Sequence, residues 1–175
     1  MHGAEAMHRT EVGESRVDER RFREVLGHLP TGVTVVTGIS DEGPSGLVVG
    51  SFSSVSLRPP LVAFFVDHGS KSWPLIRSRN SFAVNVLAAD QKDLCTRFAR
   101  SGEDKFAGVT WHPSPVSGSP LLGGVVAWID CDIYDERAYG DHDIVVGLVR
   151  ALDADGSDSP LVFFRGRLGT FAEEA

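Results

Sequence analysis

Apolar and polar residues follow two rhythms along this chain. From Val17 to Leu29, Phe22, Val25, Leu26 and Leu29 recur at helical spacing on one face, while Arg20, Arg21 and Arg23 point elsewhere. Asp18 suits the N-cap, Val17 and Phe22 have the spacing of a hydrophobic staple, and Pro30 stops the helix. The stripe is expected to pack on the body of the domain. Beyond Pro30 the rhythm shortens to that of strands. Residues 32–40 are rich in Val and Thr, Asp41, Gly43 and Pro44 supply a turn, and GLVVGSFSSVSL reads as a second strand broken by Pro59 and Pro60. LVAFFVD, residues 61–67, is nearly continuously apolar and predicts a central strand buried on both sides.

Residues 70–79 predict a short helix with Ser72 as its cap and Pro74 in its first turn. FAVNVLA, residues 82–88, alternates as a strand does, and Asp90 caps a helix through Arg100. Residues 101–123 read as irregular, 125–139 as a long strand, and Gly140 turns the chain into a strand from His142. LVFFRGRLGTF closes the domain as a last strand bent at Gly166. Strands dominate and helices do not alternate with them, so a doubly wound parallel sheet is excluded in favour of an antiparallel barrel, all-β-dominated with a few helices. Residues 1–16 read as a flexible leader and 17–175 as a single domain.

Composition narrows the function. A net charge of −7 argues against nucleic acid as a partner, which clustered Lys and Arg would have to meet. Cys95 and Cys131 read as buried free thiols, on a helix and in a strand, and the histidines and cysteines show no metal-ligand spacing. No apolar run reaches the ~20 residues of a membrane span, and the first residues hold no signal-peptide stretch, so a cytoplasmic protein is expected.

Three segments could carry chemistry. GLVVGSFSSVSL gathers small residues that would let a flat ligand lie against the backbone, or it is a half-exposed edge strand with serines facing water. Gly69, Ser70, Lys71 and Ser72 run into a helix start, either as a phosphate seat or as an ordinary capped turn. His142 follows a glycine turn between aspartates, as an active-site group or a surface histidine. Asp130 and Asp132 share one strand face, most simply a solvated one.

Taken in order, PTGVTVVT, GSFSSVSLRPPLV, SKSWPLI, FAVNVL, DKFAG, WIDC, GDHDIVVG and PLVFFRGR resemble the flavin reductase-like, FMN-binding split-barrel family from about Phe22 to Gly169. These are the small reductase components of two-component flavin-dependent monooxygenases, and the likeness is to those serving hydroxylases of aromatic or steroid-derived phenols. The resemblance implies a six-stranded Greek-key split β-barrel with outer helices, a homodimer, and a flavin, FMN or FAD, near the dimer interface. It implies reduction of that flavin by NADH or NADPH and delivery of reduced flavin to a monooxygenase. Val48, Val49, Gly50, Ser51 and Phe52 resemble the segment lining the flavin ring and ribityl chain, with Ser54 on the same strand. Ser70, Lys71 and Ser72 resemble the phosphate-binding turn, and His142 the histidine near the nicotinamide. Phe164 and Arg165 lie in a segment that often reaches the cofactor pocket. Many members have Thr and Ser or Asn where this chain has Val48 and Gly50, so fewer side chains meet the flavin edge here. Competing readings are an enzyme with tightly bound FMN acting on its own substrate and a non-enzymatic flavin-binding module. The GDH segment favours a nicotinamide site and so disfavours the module.

Overall fold

The structure, a computed structural model, describes residues 17–102, 104–154 and 159–171; the expected leader, residues 1–16, lies outside them. Helix α1 (Glu19–Leu26) precedes β1 (Thr31–Gly32), β2 (Thr34–Ser40), β3 (Gly43–Val49), β4 (Ser53–Leu57) and β5 (Pro60–Asp67). Then come α2 (Trp73–Ile76), continued by a 3-10 turn at Arg77–Arg79, β6 (Ser81–Val86) and α3 (Lys92–Ala99). The chain ends with β7 (Trp111–Pro113), β8 (Pro120–Leu122), β9 (Ala127–Tyr139), β10 (His142–Ala154), β11 (Leu161–Phe164) and β12 (Arg167–Thr170).

Seven strands form one sheet in the order β3-β2-β6-β9-β10-β5-β4, each neighbouring pair antiparallel. The sheet curls without closing, as a split barrel does, and has one strand more than expected. A smaller sheet joins β1, β11 and β12, and β7 pairs with β8. The concave face holds one apolar cluster, in which Phe64, Phe82 and Trp73 meet edge to face. A second cluster, with Val35, Cys95, Phe98, Phe106 and Leu122, lies on the other face under α3. β2 therefore sends Val36 to one cluster and Val35 to the other. β6 is likewise buried along almost its whole length rather than on one side.

Several local readings are corrected. The segment 46–57 is two strands, not one, because the chain leaves β3 after Val49 and rejoins the sheet only at Ser53. β5 is not buried on both faces: it alternates, and Phe65 is 49% exposed. The bend at Gly166 is a full hairpin. Arg165 and Gly166 both have positive φ, +50° and +76°, as a two-residue type I′ turn requires. Asp90 does not cap α3, whose N-cap is Gln91. The Gln91 side chain instead accepts from Ala88 N and donates to Gly123 O. The irregular stretch 101–123 contains the β7–β8 pair.

The Asp130 face is covered. Asp130 is fully buried and accepts from the backbone N–H groups of Val116 and Ser117, while Asp132 pairs with Arg150. Both thiols are free and buried as read. Burial, with the charges of Asp130 and Asp132 adding, pushes the Cys131 thiol up to about 12, so it stays neutral and unreactive near pH 7. Helix α1 is capped by Asp18 as expected, with Arg21 N donating to Asp18 Oδ1 at 2.9 Å. Its apolar stripe does not reach the core, however: no residue of α1 is buried, and Phe22, Val25, Leu26 and Leu29 face outward.

Candidate functional site

The break between β3 and β4 opens a groove of about 600 Å³ at one end of the sheet, within the size range of ligand pockets. One wall is Leu47–Ser51, the other runs from Phe65 to Ser72, and the end of α3 through Gly102 forms the floor with Lys105; His142 stands at the rim. Close packing brings these parts together. A side-chain carbon on Gly46 would lie 2.6 Å from the Phe98 ring, so only glycine lets α3 seat against β3 there. Gly38 admits α2 in the same way: a Cβ would lie 2.8 Å from backbone atoms of Ile76.

The hydroxyls lining the groove are oriented by the chain. Where β4 has diverged from β5, Phe65 N donates to Ser51 Oγ at 2.9 Å. Ser70 N donates to Asp67 O and Gly69 N to the Asp67 carboxylate, which closes a tight turn. Trp73 N donates to Ser70 Oγ at 3.3 Å, so Ser70, not Ser72, meets the start of α2. Ser72 Oγ accepts from Lys105 Nζ at 3.1 Å. Each of these three hydroxyls accepts from a protein N–H, which leaves its own proton to donate. Lys71 is exposed and makes no ion pair with a described residue. The valine side of the groove is apolar and the Ser70–Ser72 side carries donors and an ammonium. That donor set fits a flat ring with acceptor edges and an anionic tail.

His142 Nδ1 donates to Asp141 Oδ1 at 2.7 Å, and this bond holds the Asp141 carboxyl below its ordinary value. With Nδ1 carrying the proton, Nε2 is an acceptor in the neutral ring. A second recess of about 830 Å³ between α1 and the end of the β5–β10 pair shares Phe65, Asp67 and His142 with the groove, so the imidazole stands where the two meet.

Of the residues singled out in the sequence, Val48, Val49, Gly50, Ser51, Ser70, Lys71, Ser72 and His142 line one groove. Four others do not. Phe52 packs against the inner core cluster, and Ser54 sits exposed on β4 opposite Val62. Phe164 and Arg165 form the tip of the β11–β12 hairpin beside a separate hollow, tied to α1 through Arg165 N and Gly27 O at 2.9 Å. Sequence reasoning passed over Lys105. Its ammonium donates to Gly46 O, Ser72 Oγ and Phe98 O at 3.0, 3.1 and 3.0 Å, and burial pulls it below its ordinary value. Its segment, DKFAG, entered only as part of the family resemblance, and nothing in it pointed to a role for the lysine.

A family model described as flavin reductase like domain matches residues 26–172. The chain belongs to that family. It is 51% identical to a flavin reductase from Pseudomonas putida over 93% of this chain and 95% of the other. It is 44% identical to the reductase subunit of a flavin-dependent monooxygenase from Rhodococcus jostii, over 89% of this chain and 80% of that one. Among solved structures, the NADH:FAD oxidoreductase of Streptomyces globisporus, in complex with NAD and FAD fragments, superposes with a TM-score of 0.85 at 37% identity, covering 90% of this chain and 95% of that one. The flavin reductase fold is therefore that of the split barrel read from the sequence, and the chain is an oxidoreductase enzyme of the flavin reductase kind.

Proposed function

We propose that this flavin reductase takes hydride from NADH, or NADPH, onto FMN, or FAD, held in the β3–β5 groove, and releases the reduced flavin to a partner monooxygenase. The observation that carries the reading is the meeting of three sequence-distant segments, Val48–Ser51, Ser70–Ser72 and His142, around one groove. Bound flavin supplies the ring that accepts hydride. The chain's part is to hold two flat rings in order and at reacting distance. Val48, Val49 and the bare backbone at Gly50 give the flat wall, and the Ser51 hydroxyl donates toward an acceptor edge. Ser70, Lys71 and Ser72 take the phosphate. His142, with Nε2 free to accept, suits the N–H of a nicotinamide carboxamide approaching from the second recess. No acid or base on the chain is required, and His142 positions rather than protonates. We read residues 17–175 as one such domain, in keeping with the extent of the family match. Two buried free thiols accord with a reducing cytoplasmic setting.

Steady-state oxidation of NADH with FMN added in excess tests the reading: the rate should saturate with added flavin. A rate indifferent to added flavin points to a tightly held prosthetic group, and no turnover points to a carrier.

Three outcomes follow from the assignments. Lys71→Ala should weaken FMN by the loss of one charge-assisted contact, about 1.5–3 kcal/mol if fully realised, while riboflavin, which lacks the phosphate, is nearly unaffected. Fluorescence quenching titrations with both flavins read this directly, and an equal loss for the two removes the phosphate seat.

His142→Ala should cost roughly 0.5–3 kcal/mol in kcat/KM for the nicotinamide and leave FMN affinity almost unchanged. Stopped-flow reduction across a range of NADH concentrations checks it, and wild-type saturation together with a wild-type rate would make His142 a bystander.

The outward stripe of α1 supports a homodimer, since Phe22, Val25, Leu26 and Leu29 are exposed and Phe22 lines the second recess. Sedimentation at micromolar concentration should give about twice the 18.9 kDa chain mass. Phe22→Ser with Leu26→Ser should shift the protein toward monomer, and a wild-type monomer ends this part of the proposal.

A further inference from the structure

Two lysines border the donor-rich end of the groove, and they differ in what their ammonium groups can do. Lys71 is exposed and unengaged among the described residues. Lys105 is half-buried and has three N–H bonds, directed at three oxygens: Gly46 O on β3, Phe98 O on α3 and Ser72 Oγ in the turn before α2. An ammonium has three donors and no more. Lys105 therefore has no N–H left for a ligand, although its charge faces the same end of the groove as Lys71.

What it leaves behind is an oriented hydroxyl. A serine oxygen that accepts from an ammonium turns its own proton away from that donor, and for Ser72 the open side is the groove. The two carbonyls complete the arrangement. They belong to the strand and the helix that flank the groove, and Gly46 is the position where those elements pack too closely for a side chain. One charge thus spans wall, floor and turn.

We propose that Lys105 is the positioning residue of the phosphate seat: its ammonium, pinned on Gly46 O and Phe98 O, fixes the Ser72 hydroxyl as a donor to an anionic ligand group without touching that group itself. This rests on the reading of Ser70–Ser72 as the phosphate seat and divides the labour within it. Lys71 contacts the anion; Lys105 sets the geometry through Ser72.

The test is a set of affinities for FMN and riboflavin, read by flavin fluorescence quenching, on the full chain carrying Lys105→Met, Ser72→Ala, Lys71→Ala and their pairs. Denaturant unfolding of each variant runs alongside. Lys105→Met should weaken FMN about tenfold while changing riboflavin about threefold or less. In a Ser72→Ala background, Lys105→Met should have much less additional effect on the FMN-to-riboflavin ratio, because both act through one hydroxyl; in a Lys71→Ala background its effect should persist in full. A Lys105→Met variant that loses FMN and riboflavin equally overturns the proposal and makes Lys105 a strut of the groove. So does full additivity with Ser72→Ala. If Lys71→Ala and Ser72→Ala also fail to separate FMN from riboflavin, the phosphate seat itself has failed; if they separate the two flavins and Lys105→Met does not, only the role of Lys105 has. Should Lys105→Met not fold, Lys105→Arg is read in its place. A planar guanidinium keeps the charge but does not reproduce a three-legged set of bonds, so the ratio should still fall, by about threefold. An unchanged ratio in Lys105→Arg overturns the proposal.

Discussion

Asn85→Ala is expected to destabilise the protein by about 3–5 kcal/mol, a large share of a domain's usual stability. Asn85 is fully buried near the end of β6 with both ends of its amide in use. Nδ2 donates to Val35 O at 3.2 Å, Thr37 Oγ1 at 3.1 Å and Pro120 O at 3.3 Å, and Oδ1 accepts from Leu122 N at 2.8 Å. Alanine would leave the buried Leu122 N–H without its acceptor and open a space between the sheet and β8. Unmet buried donors cost about 1–3 kcal/mol each, and the lost bonds and the void add to that. Urea unfolding followed by tryptophan fluorescence measures it. Asn85→Asp separates shape from polarity, for it keeps the acceptor toward Leu122 but turns a second oxygen toward three others. It should be no more stable than the alanine variant. A loss below about 1 kcal/mol in Asn85→Ala would mean that β8 is not held to the sheet by this side chain.

The second large effect is expected at Trp73, directly after the Ser70–Ser72 turn. The indole is buried at the mouth of the curled sheet, edge-on to Phe64 at 5.5 Å and Phe82 at 6.4 Å, and its N–H donates to Glu136 Oε1 at 2.9 Å. Arg77 holds the same carboxylate through both oxygens. Trp73→Ala should cost about 3–5 kcal/mol of stability, the usual range for truncating a buried large aromatic. It should also weaken FMN, because α2 would lose the anchor that keeps the turn in place. Trp73→Phe keeps most of the packing and gives up only the N–H bond, so it should cost about 1 kcal/mol and leave flavin affinity close to normal. Equal losses in the two variants would mean that the hydrogen bond, and not the ring, seats the turn.

Much of the architecture was legible because long strands announce themselves. β2 and β10 are rich in Val and Ile, β9 runs unbroken between turn residues, and Gly140 stands where a turn needs positive φ. Elements with both faces covered were harder to read. β6 looks alternating because Asn85 is polar, yet that polarity faces a second layer made by β8, from a stretch with no periodicity of its own. Phe65 looks like core within an apolar run and instead faces the groove. Residue type marked GLVVGSFSSVSL and the Ser70–Ser72 turn as candidate ligand-binding segments. That Leu47–Ser51, but not the serines of β4, opens on one groove with Ser70–Ser72 depends on pairings across the sheet that no local pattern encodes. The role of Lys105 was illegible for the same reason: its three acceptors lie at residues 46, 72 and 98, and their convergence exists only in the folded chain. The α1 stripe shows the reverse case, an unmistakable amphipathic signal whose apolar side finds no cover among the described residues.

That uncovered stripe ties folding to mass action. If a second copy covers it, association and folding become one equilibrium, and dilution alone will lower the melting temperature even though no contact within the chain has changed. Stability measured at one protein concentration then belongs to that concentration. A point variant on the apolar face of α1 would register as a loss of stability in concentrated samples, where the native chain associates, and fade in dilute ones, whereas Asn85→Ala would be equally severe in both.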